Sequence, residues 1–347
     1  MRSFGLWYKS ENEGNEEPIF SVHINFWSES VKKDSGVPDL DVGIKIKNFR
    51  NINKLIFQCP FSIDESEIKD LATKLCNLKN ANIIFNIDGN MQTKESYSVY
   101  SFTKNGNEEK ILLFPLAQDF GKVYELIKED KKTDMIFSFE MFNKYFKNRL
   151  ELKEIDYVYI RFRISSAKLK NKIYFDCEPS NKSFESAFSG TRIFDFKINE
   201  KRNLGSLTIA KIDLQKYVFP TIDNIHLLVM EPSSYEVESF ANKQVTCREL
   251  EGKLWDDYFG VIDYSKGRVL AYHWKFENEC SCLIKVKYSK TDLATIISYI
   301  VMALALGVIS STIVAIAECK FATYYPGISI IFGGIFLLIG WLLGRKK

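Results

Sequence analysis

Two arginines alternate with apolar residues in one short segment of the chain. Arg161 and Arg163 are interleaved with Ile160, Phe162 and Ile164. Alternate residues of a β-strand point to the same face, so the two guanidinium groups would lie side by side. A guanidinium group binds a phosphate or a carboxylate through two parallel hydrogen bonds. Arg161 and Arg163 are therefore candidate ligand-binding residues, and the alternative is an ordinary solvated strand face.

Imidazole and thiol groups are sparse. The three histidines, His23, His226 and His273, lie in strand-like segments among apolar neighbours. Catalysis requires a mutual geometry that a sequence does not show, so we expect structural roles for them. Cys280 and Cys282 would share a strand face, but a zinc site needs four ligands and only His273 is near them in the sequence. The sequence predicts no metal site and no cofactor.

The common signatures of enzyme families are absent. The chain has no glycine-rich phosphate-binding loop, no Gly-x-Ser-x-Gly elbow, no His-Glu-x-x-His pair and no protein-kinase motif set. No catalytic residue is predicted. This favours a binding or membrane-acting protein, with an enzyme of unrecognised type as the alternative.

The elements that would position these side chains are mostly strands, because apolar residues alternate along many short runs. The predicted strands are Ile19–Trp27, Val42–Ile46, Leu55–Phe61, Ala81–Ile87, Ser96–Phe102, Ile111–Leu116, Tyr157–Ile164, Lys172–Cys177, Ile193–Ile198, Leu207–Ile212, Ile225–Met230, Val261–Tyr264, Arg268–Phe276 and Cys282–Tyr288. A capping box formed by Ser62 and Glu65 predicts a helix that extends to Leu78. Apolar spacing predicts two more helices, over Phe120–Asp130 and Phe139–Leu150.

Two segments of the chain align with each other without a gap. Residues Ile44, Ile46, Lys54, Leu55, Phe57, Cys59 and Ser62 align with Phe162, Ile164, Lys172, Ile173, Phe175, Cys177 and Ser180. This indicates either an internal repeat or a chance match between segments of similar composition. The sequence thus predicts a mainly β (α+β) domain, as one body or as two tandem β-sandwich-like modules. The expected boundaries are a flexible N-terminus (1–17), module 1 (18–150), module 2 (151–290) and a C-terminal region (291–347).

The C-terminal region contains two runs without a charged side chain, Leu293–Ala317 and Gly327–Leu343. As a helix, the first run would be about 37 Å long, at about 1.5 Å per residue, and the hydrocarbon core of a bilayer is about 30 Å thick. Tyr324, Tyr325 and Trp341 are suitable interfacial residues for the second run. We therefore expect a transmembrane helical hairpin, with helices over 293–317 and 326–344.

Small residues recur along both predicted spans. Helices in lipid associate through close backbone approach, which small side chains allow. The predicted helix-packing residues are Ala303, Gly307, Ser311 and Ala315 in the first span and Ser329, Gly333, Gly340 and Gly344 in the second. The alternative is the general frequency of such residues in spanning helices. We expect a homo-oligomer.

Basic residues predict the orientation. The juxtamembrane set comprises Lys285, Lys287, Lys290, Arg345, Lys346 and Lys347, whereas Lys320 in the connecting loop is offset by Glu318. Basic residues flank spans on the cytoplasmic side. The expectation is a multi-pass protein of the cell inner (plasma) membrane with both termini in the cytoplasm.

Charge and cysteine content limit the partners. The net charge of +3 lies in the C-terminal region, so the rest of the chain is neutral and no duplex nucleic acid is expected as a partner. Seven cysteines at irregular spacing are unlike a disulfide framework and are typical of a reducing compartment. A hydrophobic fraction of 46% is sufficient for a packed core.

A cytoplasmic domain followed by a terminal hairpin resembles the membrane effectors of bacterial defence systems in architecture, with no shared motif. That resemblance implies an antiviral role. The predicted function is a membrane-anchored sensor that binds a small-molecule or protein trigger, oligomerises and changes the permeability of the lipid bilayer. The alternatives are a membrane-tethered enzyme and a non-catalytic scaffold subunit of a membrane complex.

Overall fold

The structure, a computed structural model, describes residues 2–10, 16–33, 36–94, 97–118, 121–129, 131–140, 154–177, 189–241, 243–290, 293–317, 330–331, 333–339 and 341. These residues belong to two compact units. The first contains residues 1–175 and 193–285, and the second contains residues 176–192 and 286–347. The first unit contains most of the strands and the second contains the long apolar helix.

Strands predominate along the described chain. They are β1 (Gly5–Ser10), β2 (Ile19–Trp27), β3 (Asp39–Lys47), β4 (Ile52–Cys59), β5 (Ile68–Asp70), β6 (Gly89–Lys94), β7 (Tyr97–Lys104), β8 (Asn107–Phe114), β9 (Ala117–Gln118), β10 (Gly121–Lys122), β11 (Tyr124–Glu129), β12 (Lys132–Ser138), β13 (Tyr157–Ser165), β14 (Tyr174–Asp176), β15 (Ser189–Ile198), β16 (Thr221–Pro232), β17 (Glu236–Ser239), β18 (Thr246–Glu249), β19 (Val269–Phe276) and β20 (Cys280–Ser289). The α-helices are α1 (Ala72–Leu75), α2 (Leu78–Phe85), α3 (Ala167–Lys172), α4 (Lys201–Leu204), α5 (Ser206–Leu214), α6 (Gly252–Phe259) and α7 (Leu293–Ala317).

One mixed sheet forms the centre of the first unit. Its strand order is β18-β19-β16-β2-β3-β13-β8-β7-β6, with β5 paired to β13. Strand β2 is antiparallel to β3 and parallel to β16, although β16 lies far from it in the sequence. Segments about 200 residues apart in the sequence therefore meet at the middle of this sheet.

The two faces of this sheet differ in chemistry, because each central strand alternates in polarity. One face is apolar: Phe20 and Ile24 of β2, Ile44 of β3 and Phe162 of β13 are fully buried. The rings of Phe57 on β4 and Phe162 pack edge to face with centroids 5.4 Å apart. The opposite face carries the polar residues of the same strands, and these residues form the candidate site.

Smaller sheets accompany the main sheet. One has the order β1-β4-β12-β11, a second has the order β14-β15-β20-β17, and β9 pairs with β10. In the first of these, β1 is antiparallel to β4, with Leu6 opposite Phe57. Its apolar residues contribute to the same core.

The structure corrects several predicted elements. Ala81–Ile87 was expected to be a strand, but most of it lies in α2, and Leu207–Ile212 lies in helix α5. Short apolar runs fit either element, so periodicity alone does not separate them. The helix predicted over Phe120–Asp130 is wrong, since β10 and β11 occupy this segment. The predicted helix at Phe139–Leu150 lies outside the described residues beyond residue 140.

The helix predicted from Ser62 is also different. The capping box is formed by Asp64 and Glu67, and it begins a single 3-10 turn. That turn is followed by β5, α1 and α2, so the segment is broken into short elements. Pairing of β5 with β13 provides the backbone hydrogen bonds that a continuous helix would have made internally.

The chain organisation differs from two predictions. Residues 5–10, placed in a flexible N-terminus, form β1, and Phe4 is buried. Strand β13, expected in a second module, pairs with β3 and β8 from the predicted first module. The aligned segments also adopt different structures, because Lys54 lies in β4 and Lys172 ends α3. Tandem modules are therefore not seen in the described residues.

Helix α7 has the length and composition of a membrane span. The 19 residues Ile296–Val314 are apolar enough to cross a bilayer, and only 17% of that window is buried. Residues 330–331 and 333–339 are also helical. A Cβ atom at Gly333 would lie 2.7 Å from Cγ1 of Ile309 and 3.6 Å from the carbonyl oxygen of Ala305. Gly333 thus packs closely against α7 within the second unit.

Candidate functional site

The candidate site is built from a row of residues across four neighbouring strands. Arg161 on β13 pairs with Gly43 on β3, Gly43 pairs with His23 on β2, and His23 pairs with His226 on β16. His273, on β19, is opposite Leu228 and so lies one step along the same face. The strand register therefore brings all three histidines of the chain together with Arg161.

Arg161 is almost fully buried, with 1% of its surface exposed. Its Nε donates to the hydroxyl of Tyr258 at 2.6 Å, and its Nη1 donates to the hydroxyl of Tyr159 at 2.7 Å. Its Nη2 donates to the side-chain oxygen of Asn25 at 2.9 Å in the amide orientation that satisfies both ends of that amide. Neutral groups thus accept hydrogen bonds from three of the five N–H groups of Arg161.

The neighbouring guanidinium, that of Arg163, has an internal carboxylate partner. Its Nε and Nη2 donate to the two oxygens of Asp41 at 2.5 and 2.9 Å. Asp41 also accepts from Trp27 and from the hydroxyl of Tyr258, both at 3.0 Å. Burial raises the pKa of Asp41, but Arg163 and Arg161 outweigh burial and hold that pKa below its ordinary value. Asp41 is therefore ionised at neutral pH.

The histidines form three hydrogen-bonded contacts, the longest between Nδ1 of His273 and the hydroxyl of Thr246 at 3.4 Å. Nδ1 of His23 lies 3.0 Å from the hydroxyl of Tyr159, and Nδ1 of His226 lies 3.0 Å from Nε2 of His273. Burial is the main reason that the pKa of His23 is well below its usual value, and the nearby imidazole of His226 and guanidinium of Arg161 add to the effect.

The other two imidazoles are shifted in the same direction. Burial, together with His273, Lys275 and Lys45, lowers the pKa of His226 to about 4. Burial followed by the charges of Arg248 and Lys275 lowers the pKa of His273. All three side chains are therefore neutral at pH 7, and each has one donor and one acceptor nitrogen.

Gly43 provides the space that this arrangement needs. A Cβ atom at Gly43 would lie 2.2 Å from the hydroxyl oxygen of Tyr159 and 2.8 Å from Nη1 of Arg161. Any larger residue would displace one of these side chains. The absence of a side chain at Gly43 thus permits the contact of Tyr159 with both His23 and Arg161.

These residues line a cavity of about 500 Å³ between the polar sheet face and two helices. Phe85 of α2 and Trp255 of α6 form aromatic walls, and Arg248 of β18 adds a second guanidinium. The other lining residues are Asn25, Ile83, Ile84, Asn86, Leu228, Thr246, Cys247 and Ala271. Among the described residues, none that lines this cavity is an aspartate or a glutamate. Its volume is in the range of small-molecule sites.

A smaller cavity of about 320 Å³ adjoins the first. Both share Ile83, Asn86, Arg248 and Trp255, and the smaller one also contains Asp88 and Glu251. Among the described lining residues of the two cavities, the carboxylates therefore lie only near Arg248. The lining near Arg161 is cationic.

The described residues contain no group of three or more His, Cys, Asp or Glu side chains arranged to hold a metal ion. Cys280 and Cys282 are both buried, as expected for alternate residues facing the core. Burial raises the pKa of both thiols, that of Cys282 to about 12.

The predicted site residues have different positions in the structure. Arg161 lines the cavity, whereas Arg163 lies beside it and is bound to Asp41. Both are buried, so the alternative of a solvated strand face is wrong. Neither residue's role in ligand binding is tested by the geometry, and that role stays a prediction.

The predicted helix-packing residues can be placed in part. Ala303, Gly307 and Ser311 are exposed, while Gly333 is buried. Ala315 lies in α7, and Ser329, Gly340 and Gly344 lie outside the described residues. The side chains buried along α7 are Ser298, Ala305 and Thr312. Exposed Gly307 is open to contact with another copy of the chain, and such contact stays a prediction.

The predicted juxtamembrane residues are also partly described. Lys285 and Lys287 lie in β20, and Lys290 follows it. The ammonium group of Lys285 is 3.9 Å from a carboxylate oxygen of Glu238. Arg345, Lys346 and Lys347 lie outside the described residues.

Sequence reasoning missed most of the cavity. It assigned structural roles to His23, His226 and His273, and it did not identify Arg248 or Trp255. One signal was present, because Ser21, His23 and Asn25 occupy the polar face of a strand whose other face is apolar. The pairing of β2 with β16 was the information that the sequence did not contain.

Comparison with known proteins gives no relative that bears on function. No family model matches the chain, and no curated protein matches it. Among solved structures, the chain is similar to the Fcho1 Mu homology domain of Danio rerio with bound Eps15 peptide. The identity is 9%, the match covers 79% of this chain and 78% of that chain, and the TM-score is 0.16. A score this low carries no argument about fold or function.

Proposed function

We propose that this chain is a membrane-anchored sensor, whose β-rich domain binds a small ligand and whose C-terminal helices oligomerise and alter the permeability of a bilayer. The observation that carries the proposal is the exposure of α7. Leu304, Leu306 and Ile313 are 64%, 59% and 58% exposed. Burying an apolar side chain of this size is worth about 1.5–3 kcal/mol, so a helix like α7 is stable in lipid rather than in water.

The alternative explanations for an apolar helix fit less well. The core helix of a soluble protein would be mostly buried, and α7 is not. A signal sequence lies near the N-terminus, whereas α7 begins at Leu293. Bilayer contact is the reading that accounts for both its length and its exposure.

The connection between β20 and α7 supports a sensor rather than a passive anchor. Strand β20 ends at Ser289 and α7 begins at Leu293. Three intervening residues leave little flexible linker to uncouple the domain from the helix. The 500 Å³ cavity supplies a place for a ligand.

Membrane insertion and leakage provide the tests. The full chain should stay in the membrane fraction after carbonate extraction, and release into the supernatant would overturn the anchor. Reconstituted into liposomes loaded with a fluorescent dye, it should release the dye. Intact liposomes at every protein-to-lipid ratio would overturn the permeability function and favour an inert anchor.

The orientation is proposed from the basic residues near the spans. A reporter fused after Lys347 should be cytoplasmic, and one inserted between Lys320 and Tyr325 should be external. The reverse pattern would place the β-rich domain outside the cell.

A membrane-tethered enzyme is the second candidate, and the grouped imidazoles favour it. The neutral side chains of His226 and His273 are hydrogen-bonded in the cavity, and a neutral imidazole can act as a general base. Hydrolysis of bis-p-nitrophenyl phosphate by the full chain, lost in His226→Gln, would support this candidate. No p-nitrophenol release above that of the variant would count against it.

A further inference from the structure

The cavity beside the three histidines has an unbalanced charge. Arg161 makes one ion pair among the described residues, with Asp41, at 3.9 Å. Asp41 is already bound at shorter distance by Arg163. A buried guanidinium without a close carboxylate of its own is energetically costly. A negatively charged group of a ligand would give the Arg161 guanidinium a close anionic partner.

The cavity lining is suited to such a group. Arg161 and Arg248 are cationic, and the described lining contains no carboxylate. When Tyr159 donates to Nδ1 of His23 and His273 donates to Nδ1 of His226, the Nε2–H groups of His23 and His226 are left to donate to a ligand. The carboxylates of Asp88 and Glu251 line only the adjoining cavity. Their negative charge repels an anion from the end of the cavity near Arg248 and favours its binding near Arg161.

Part of the remaining lining is apolar, and two of its side chains are flat aromatic rings. Phe85 and Trp255 face the cavity from two helices, together with Ile84 and Leu228. Phe85 also packs on Tyr159, with centroids 5.0 Å apart, so its ring is held in place. Aromatic walls bind planar rings by stacking. A cationic inner end and aromatic walls form one recognition surface.

We propose that this cavity binds a small molecule that carries both a phosphate or carboxylate group and a flat ring. The anion lies between Arg161 and the imidazoles of His23 and His226, and the ring lies against Phe85 and Trp255. This proposal names the ligand class of the sensor proposed above, and it rests on that proposed function. Binding itself requires no membrane activity, so the two proposals can fail separately.

The test is calorimetric titration of the full chain in an uncharged detergent. The probes are AMP, in which ribose joins a phosphate to an adenine ring, benzoate, in which a carboxylate is attached to a ring, and adenosine, which is AMP without the phosphate, with sodium chloride keeping ionic strength constant. AMP, benzoate or both should bind more tightly than adenosine by at least about tenfold, the factor that corresponds to 1.4 kcal/mol. Failure of both AMP and benzoate to exceed adenosine would overturn the proposal.

Variants locate the binding. Arg161→Gln should abolish it, and Arg248→Gln, at an exposed residue whose loss the fold tolerates, should weaken it by about tenfold. Arg202→Gln changes an arginine whose side chain is 89% exposed and lies outside the cavity, so it is the matched control. Binding that is unchanged in Arg248→Gln and in folded Arg161→Gln would place the anion elsewhere and overturn the assignment. A leakage assay that fails while binding persists would remove the membrane function alone.

Discussion

Single side chains of the polar sheet face form a connected set of hydrogen bonds and ion pairs. Asp41 holds the bidentate pair with Arg163, and Tyr258 links Asp41 to Arg161. The three imidazoles are neutral because they are buried among cationic neighbours. Each of these groups responds differently to substitution or to pH.

Replacing Asp41 tests the buried ion pair. Asp41→Asn leaves Arg163 without its carboxylate, and loss of one partner from a buried pair costs about 3–5 kcal/mol. The urea midpoint of unfolding, followed by tryptophan fluorescence, should fall accordingly. Asp64→Asn removes an exposed partner of Lys128 and is the control, for which no measurable change is expected. Equal midpoints for the two variants would contradict the importance of the buried pair.

Acidification tests the histidines. The folded-state pKa of His226 is about 4, below its ordinary value of about 6.5. Its stabilising contribution is therefore complete above about pH 6.5 and declines as the pH falls toward 4. In His226→Gln this part of the decline should disappear. The difference in unfolding free energy between the two proteins should change by less than about 1.4 kcal/mol per pH unit, because solvent reaches part of the ring.

The neighbours of His226 define the comparison. The titratable and charged groups that face it are Lys45 from β3 and His273 and Lys275 from β19, and His23 lies beside it on β2. Those groups are present in both proteins, so the difference reports the titration of His226 together with the effect of His226 on the pKa of His23. Parallel pH profiles would mean that His226 has an ordinary pKa in the folded chain.

At the scale of elements, strand register assembles the site. Gly43 of β3 lies between His23 and Arg161 in the row across the sheet. Because a side chain at this position would meet Tyr159, the strand has to carry glycine where the pleat faces the cavity.

Substitution of Gly43 tests this close approach. Gly43→Ala should displace Tyr159 and destabilise the protein by about 1–3 kcal/mol, the usual cost of overpacking. Thermal unfolding in detergent measures it. Gly36→Ala is the matched control, because a Cβ atom there would have nothing within 4 Å. If the two variants melt at the same temperature, the Tyr159 hydroxyl is not fixed as the structure places it.

The sequence predicted the secondary-structure elements better than it predicted which strands pair. Alternation in β2, β3 and β13 identified both the apolar face and the shared direction of Arg161 and Arg163. It could not reveal that β16 pairs with β2, because register between distant segments is set by tertiary packing. Helices α2 and α5 were missed, since their short apolar runs lack a decisive period. The sequence therefore identified Arg161, which lines the cavity, and did not identify the histidines that line it beside Arg161.

At the scale of the whole molecule, the small residues of the C-terminal helices have two environments. Gly307 is open, with nothing within 4 Å of an added Cβ atom, and Gly333 packs against Ile309 and Ala305. The open glycine is free for contact with a second copy, whereas Gly333 serves contact within the chain.

Leucine substitutions separate these roles. Gly307→Leu should weaken self-association measured by analytical ultracentrifugation in detergent, since it removes a surface for close helix approach. Gly334→Leu adds the same bulk at another glycine with nothing within 4 Å, outside the small-residue series, and should leave association unchanged. Gly333→Leu should instead disturb packing within the chain and lower its thermal stability. Identical association for Gly307→Leu and the wild-type chain would contradict an oligomer formed through this face.

The parallel pairing of β2 with β16 has a consequence for synthesis on the ribosome. Strand β2 is synthesised about 200 residues before its partner at Thr221–Pro232, and the next strand, Val269–Phe276, follows later still. Sheets that depend on such distant pairing fold slowly. Helix α7 begins at Leu293, soon after these strands. One edge of β2 therefore stays unpaired in the nascent chain until β16 has been synthesised, and an unpaired strand edge is prone to aggregation.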